Sequence, residues 1–158
     1  MALAYIGLGA NLGDAQTALR QAIAELSASP GIIDLQASGF YRTAPVDSSG
    51  PDYVNAVASM HTTLEPMELL RRLQAIEQAH GRERPYRNAP RTLDLDLLWF
   101  DGQHIDMPEL TVPHPRMHER AFVLAPLQEL APALQLQQGS LPALLALCGN
   151  QGIARIPG

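Results

Sequence analysis

Apolar residues recur along this chain with two periods, and the switches between them divide it into elements. Residues 2–8 form a short, largely apolar run that predicts a buried strand. Ala18, Leu19, Ala22, Ile23 and Leu26 then recur every three or four positions, the stripe of an amphipathic helix, with Asp14 placed to cap its start. Ser29-Pro30-Gly31 ends it, and Ile33, Leu35 and Ala37 alternate with Asp34, Gln36 and Ser38 in a half-buried strand running to about Thr43. Residues 44–52 have Val46 as their one apolar anchor and predict a mobile loop. Over residues 53–62, Val54, Ala56, Ala58 and Met60 share one face of a strand and leave Tyr53 and Asn55 on the other. Leu69, Leu70, Leu73 and Ile76 stripe a second helix between Pro66 and Gly81. An arginine-rich loop with Pro85 and Pro90 leads into a strand over residues 93–100, and Asp101-Gly102 signals a tight hairpin returning through residues 103–105. A third helix is expected over residues 116–127, with Met117, Ala121, Leu124 and Ala125 inward, and a last one behind Ser140, stopped by Gly149. The segment after Asn150 is expected to be loosely held.

Strand, helix, strand, strand, helix, strand is the split βαβ order of ferredoxin-like folds. The expectation is an α+β protein with a βαββαβ antiparallel sheet, helices on one face, the other face open to ligand, and a C-terminal hairpin and helices. At 158 residues and 46% hydrophobic content the chain suits a single domain, residues 1–158. The glycines at positions 7, 9 and 13 are spaced one residue too widely for G-x-G-x-x-G, and a tight turn is the reading they favour.

Charge narrows the chemistry. A net charge of −5 argues against a nucleic-acid scaffold. All eleven basic residues are arginine, and six of them (Arg82, Arg84, Arg87, Arg91, Arg116, Arg120) fall in one quarter of the chain, which suits a small polyanion drawn into one cleft. Cys148 is the sole cysteine, so there is no disulfide framework and a reducing compartment is expected. The first residues do not read as a signal peptide, and no apolar run approaches membrane-spanning length.

The strand over residues 93–100 carries the strongest candidate chemistry. Its alternation turns Leu93, Leu95 and Leu97 one way and leaves Asp94 and Asp96 side by side on the other face. Paired carboxylates suit a hard divalent ion such as magnesium, which takes one or two of them and fills its shell with water and phosphate oxygens. A bare Asp-x-Asp also fits a solvated sheet surface; the arginines just upstream, suited to forked phosphate contacts, favour the metal site. Tyr53 and Asn55 together suit a flat heterocycle, although such a pair also occurs as ordinary sheet surface. Gln74 and Glu77 share a helix edge that alone would be a solvated face. His114, held between Pro113 and Pro115 ahead of Arg116 and Arg120, is a candidate phosphate contact. Phe122 fits either core or site.

Five motifs together resemble the 6-hydroxymethyl-7,8-dihydropterin pyrophosphokinase family of folate biosynthesis. They are Tyr5-Ile6-Gly7-Leu8-Gly9-Ala10-Asn11-Leu12-Gly13, Phe40-Tyr41-Arg42-Thr43-Ala44-Pro45, Asp52-Tyr53-Val54-Asn55, the run from Arg87 through Pro90-Arg91-Thr92-Leu93-Asp94-Leu95-Asp96 to Leu98, and Thr111-Val112-Pro113-His114-Pro115-Arg116-Met117 with Arg120 and Phe122. The resemblance implies diphosphate transfer from ATP to the hydroxymethyl group of a reduced pterin, giving AMP, by a cytoplasmic monomer on a ferredoxin-like scaffold. It further implies that Asp94 and Asp96 hold two magnesium ions and that Arg82 and Arg91 stabilise charge during transfer. Gln74, Glu77, Arg82, Arg84, Arg91, His114 and Arg120 would hold the nucleotide. Tyr53 and Phe122 would sandwich the pterin, with Asn55 and the backbone of Thr43, Ala44, Pro45 and Val46 at its polar edge. Asn88 stands where some members carry tryptophan, in an arginine loop one residue shorter. Two rivals are another magnesium-dependent phospho- or nucleotidyltransferase, and a non-catalytic ferredoxin-like binding module; AMP, ADP or no product distinguishes the three.

Overall fold

The computed structural model describes residues 1–11, 14–43, 52–81, 93–149 and 151–157. Strand β1 (Ala2–Ala10) leads to helix α1 (Ala15–Ser27), strands β2 (Ile32–Ala37), β3 (Tyr41–Thr43) and β4 (Tyr53–Thr62), helix α2 (Pro66–Gly81) and strand β5 (Asp94–Phe100). Short strands β6 (Ile105–Asp106) and β7 (Thr111–Val112), a 3-10 turn at Met117–Glu119 and helix α3 (Ala121–Leu130) follow. The chain continues through β8 (Gln135–Leu136), β9 (Gly139–Ser140), helix α4 (Leu141–Ala146) and β10 (Ile153–Arg155). The main sheet runs β10-β3-β4-β1-β5, with β2 also on β4, and the pairings described in it are antiparallel. This is an α+β architecture.

Asp14 caps α1 as its position predicts, accepting from Thr17 N–H at 3.1 Å. Leu19, Ala22 and Leu26 from α1 and Leu69, Leu73 and Ile76 from α2 are buried against Ile6, Leu8, Met60, Leu95 and Leu97 of the sheet. The opposite face is not simply open, as the sequence suggested. There Tyr5, Val57 and Leu98 pack on Ala121, Leu124, Leu127 and Leu141 of α3 and α4. A bulge explains part of this second core: the β1–β5 register slips between Tyr5 and Ile6, opposite Trp99 and Leu97, and both Leu98 and Trp99 join that core.

Other expectations are corrected. Gly7 and Gly9 form no turn, because β1 stays extended to Ala10, and Gly13 lies outside the described residues. The strand expected from Ile33 to Thr43 is split in two and its alternation fails: Asp34 takes a positive φ of 54°, the register slips between Ile33 and Gln36, and Ile32 is buried while Ile33 is 39% exposed. Asp101 and Gly102 form the tight turn with φ of 52° and 71°, but the returning residues pair with β7 rather than β5. The third helix is broken at Arg120, whose extended backbone (φ −115°, ψ 111°) separates the 3-10 turn from α3. The segment after Asn150 is a paired strand, with Ile153, Ala154 and Arg155 opposite Thr43, Arg42 and Tyr41.

One polar cluster ties this last strand and α3 to β3. Glu129 on α3 accepts from Tyr41 Oη, from Gly39 N–H at 3.0 Å and from Arg155 Nε at 3.2 Å. Burial pushes the Tyr41 phenol up and the Glu129 carboxylate beside it adds to this, to about 12. Burial also pushes Glu129 up, but its three donors outweigh that and hold it below the ordinary carboxylate range. A depressed carboxylate contributes stability that is present above its unfolded value and lost as pH falls through the folded one. Glu129→Gln is therefore expected to destabilise by about 1 kcal/mol at neutral pH, the size of a partly solvated hydrogen bond. Urea unfolding should show that deficit shrinking below roughly pH 4.5, in the window where the unfolded glutamate takes up its proton first. A deficit independent of pH would remove the carboxylate from this role.

Candidate active site

Glycine makes the floor of the cleft. The ladder places Gly9 between Asn55 of β4 and Asp94 of β5, and Gly7 between Val57 and Asp96. Residues opposite one another in a ladder share a face, so two rows cross the sheet over bare backbone, one running from Asn55 to Asp94 and the other from buried Val57 to Asp96. At Gly9 the bareness is required: a Cβ there would lie 2.9 Å from Asn55 Oδ1. The Asn55 amide thus leans over β1. Asn55 is 5% exposed, and its Nδ2 donates to Thr43 Oγ1 at 3.0 Å. Thr43 pairs across the ladder with Tyr53, which stands half-buried at the start of β4.

The aspartates stand at the sheet's edge strand. Asp94 is half-buried and Asp96 exposed, while Leu95 between them is buried in the core. Leu95 N–H donates to Glu77 Oε2 at 2.8 Å, so an acid from α2 anchors the backbone between the two carboxylates. Two carboxylates with open solvent on one side fit magnesium completed by phosphate and water. Among the described residues no group of three or more histidine, cysteine or acidic side chains has the arrangement of an all-protein metal cage.

The opposite wall comes from the helix break. Arg120, extended, and Phe122, in the first turn of α3, lie on one side of it, and the Arg120 guanidinium carbon sits 5.5 Å from the Phe122 ring centroid. His114 is fixed by its backbone N–H to Leu98 O at 2.8 Å, and its Nδ1 accepts from Arg116 N–H at 3.1 Å. Burial pushes its pKa down, Asp96 pushes it up, and Arg120 and Arg116 push it down, leaving it below the ordinary histidine value. The imidazole is therefore neutral near pH 7 with Nδ1 as acceptor, and Nε2–H is its free donor.

Seven residues singled out by the sequence, Thr43, Tyr53, Asn55, Asp94, Asp96, Arg120 and Phe122, line one cavity of about 840 Å³. Gln74, Glu77 and His114 do not line it. Gln74 is exposed on α2, Glu77 acts through Leu95, and His114 borders an adjoining groove of about 700 Å³ with Trp99, Val112 and Pro113. Ala44, Pro45, Val46, Arg82, Arg84 and Arg91 lie outside the described residues. Arg116, one of the clustered arginines, also lines the cavity, whereas sequence reasoning missed Gly7, Gly9, Glu119 and Gln151 in the lining. The two-residue spacing of Gly7 and Gly9 within a strand could have revealed that pair; nothing local marks Gln151.

The family model described as 7,8-dihydro-6-hydroxymethylpterin-pyrophosphokinase matches residues 5–132. A Pseudomonas aeruginosa 2-amino-4-hydroxy-6-hydroxymethyldihydropteridine pyrophosphokinase is 45% identical over 156 residues, covering 98% of this chain and 96% of the relative. A Methylorubrum extorquens protein of the same description is 40% identical, covering 99% of each chain. Among solved structures, a Plasmodium falciparum HPPK-DHPS aligns over 92% of this chain with a TM-score of 0.72 at 14% identity. This chain spans 45% of that longer one, and at such identity the likeness concerns the fold alone.

Proposed function

The chain belongs to the 7,8-dihydro-6-hydroxymethylpterin-pyrophosphokinase family, and from that premise we propose that its two substrates meet in the cleft between Asn55, Phe122 and the aspartate pair. The enzyme transfers diphosphate from ATP to the hydroxymethyl group of 6-hydroxymethyl-7,8-dihydropterin, in folate biosynthesis, leaving AMP. The observation that carries the site assignment is the single cavity in which an aspartate pair and two aromatic rings beside a buried amide come together.

In this reading the pterin ring lies over the glycine floor, between Tyr53 and Phe122. Such stacking uses the ring faces and leaves the heterocycle edge for hydrogen bonds. Asn55, braced by Thr43, meets that edge. Its amide can both donate and accept, which suits the alternating donors and acceptors of an aminopyrimidinone. The ring's hydroxymethyl group then points toward Asp94 and Asp96. These carboxylates would hold two magnesium ions, which neutralise phosphate charge and align the triphosphate. The substrate hydroxyl oxygen forms a bond to the β-phosphorus as the bond to the oxygen shared with the α-phosphorus breaks, AMP departs, and the hydroxyl proton passes to solvent. Arg120 and the free Nε2–H of His114 bind phosphate oxygens, and Gln74 and Glu77, the latter also anchoring the Leu95 amide of β5, are proposed to contact the nucleotide. Arg82, Arg84 and Arg91 are proposed to add cationic contacts to the triphosphate, with Thr43 to Val46 supplying backbone to the pterin.

The β5-β1-β4 order, with β2 and β3 sharing the far side of β4, supports reading the core as a ferredoxin-like split βαβ unit extended by β10. No helix among the described residues is long and apolar enough to cross a membrane. We take the enzyme to act as a cytoplasmic monomer, which sedimentation at assay concentration checks. Chromatography of products from Mg-ATP and the hydroxymethyl-dihydropterin tests the reaction. AMP and pterin diphosphate in equal amounts are expected; ADP would mean single phosphoryl transfer and would overturn it.

A further inference from the structure

Helix α3 begins without a cap of its own. Arg120 at its N-cap position makes no side-chain hydrogen bond to the first turn, yet the leading amides of a helix need acceptors. The acceptor comes from thirty residues further on. Gln151 Oε1 accepts from Ala121 N–H at 3.0 Å, and Gln151 Nε2 donates to Glu119 O at 2.9 Å. One carboxamide therefore bridges both neighbours of Arg120, at the break that sets the directions of Arg120 and Phe122.

The same segment is fixed at its other end. Ile153 to Arg155 pair with Thr43 to Tyr41, and Arg155 is forked onto Glu129 through Nε at 3.2 Å and Nη2 at 3.4 Å. Thr43 holds Asn55. Residues 151–155 thus join the Phe122 wall to the Thr43 and Asn55 wall, and Gln151 and Gly152 themselves line the cavity. They lie beyond the matched residues 5–132.

We infer that Gln151 is a positioning residue for pterin binding: its carboxamide caps α3 from outside the helix and holds Phe122 on the wall of the cavity that Tyr53 also lines. The inference rests on the pterin site assigned above. Both polar atoms of Gln151 are committed to backbone groups, so it acts through Phe122 and Arg120 rather than through substrate. Its loss should loosen one wall of the pterin site and leave Asp94 and Asp96, on the far side of the floor, undisturbed.

Steady-state kinetics of Gln151→Ala and Gln151→Glu tests this. Gln151→Ala is expected to raise the pterin KM roughly five- to tenfold, the size of a lost helix cap, with a smaller rise in the Mg-ATP KM through Arg120, whose long side chain can re-aim at phosphate where the Phe122 ring cannot, and a cooperative melting transition retained. Gln151→Glu keeps an acceptor for Ala121 N–H and places negative charge at a helix start, where it is favoured. It loses the donor to Glu119 O and sets two acceptors face to face there, so it should recover only part of the pterin affinity. A pterin KM unchanged in Gln151→Ala, equal rises for both substrates, no recovery in Gln151→Glu, or an alanine variant that fails to fold would each overturn the assignment. Phe122→Ala in the same assay separates the two readings. A pterin KM indifferent to Phe122 overturns the site itself and this inference with it, whereas one that responds to Phe122 but not to Gln151 overturns Gln151 alone.

Discussion

Asp96→Asn is expected to lower kcat by about three orders of magnitude while leaving the fold intact. The rate loss follows from the assigned chemistry: an ion that offsets developing phosphate charge is worth several kcal/mol, and each 1.36 kcal/mol is tenfold in rate. An asparagine keeps the shape and one oxygen but removes the charge that recruits the ion. The stability argument is separate and rests on burial. β5 is held by Leu93, Leu95, Leu97 and Phe100, all 4% exposed or less, and by Glu77 on the Leu95 amide, whereas Asp96 projects into the cleft as an exposed side chain. Exposed substitutions of this kind usually stay within about 0.5 kcal/mol. Replacing one of two neighbouring carboxylates also relieves repulsion when no metal is bound. Thermal melting in EDTA should therefore show Asp96→Asn at or slightly above the parent. A variant that unfolds in EDTA would make Asp96 a structural residue, and one that retains turnover within tenfold would remove it from the metal site. Asp94→Asn is expected to match the turnover loss.

The readability of this site from sequence divides along a physical line. Asp94, Asp96, Tyr53 and Asn55 were legible because strand alternation fixes which face a residue joins as soon as the strand is recognised. Phe122 was ambiguous for the opposite reason. A continuous helix from Arg116 would have carried the chain through a register in which its ring could equally be core, and only the extended Arg120 backbone decides the matter. Glycines at positions 7 and 9 predict a turn because glycine most often marks one, yet here their lack of a side chain matters more than their freedom of backbone. Part of the second core under α3 is hidden from plain alternation: Leu98 shares the face of Asp94 and Asp96, but a bulge on β5 reverses the parity of Trp99 and Phe100, and a slip of one residue reverses a face assignment. Gln151 was invisible since its partners, Ala121 and Glu119, are backbone groups about thirty positions away, and no local pattern records a long-range cap.

Phe122→Ala is expected to weaken pterin binding by roughly 5- to 150-fold, the 1–3 kcal/mol that a base-like heterocycle gains by stacking on one aromatic ring. Position on the helix supports a ligand role over a core role. Ala121, Val123 and Leu124 around it are 4% exposed or less, and they fill the space beneath α3, while Phe122 is half-buried at the cavity wall. A fully buried phenylalanine costs about 3–5 kcal/mol on truncation; a half-buried ring should cost less than that, so the variant remains folded at assay temperature. The same ring packs partly against the second core and has the Arg120 guanidinium carbon 5.5 Å from its centroid. Removing the ring frees that cation without deleting it, and Mg-ATP affinity should stay within about threefold. Tyr53 supplies the comparison, because stacking needs its ring and not its hydroxyl: Tyr53→Phe should change pterin affinity by no more than about threefold. Calorimetric titration of each variant with the pterin, in the presence of a non-hydrolysable Mg-ATP analogue, measures all of these. If folded Phe122→Ala binds the pterin as tightly as the parent, the ring is not a wall of the substrate site; if it melts far below the parent, the ring belongs to the core and the heterocycle must lie elsewhere in the cleft.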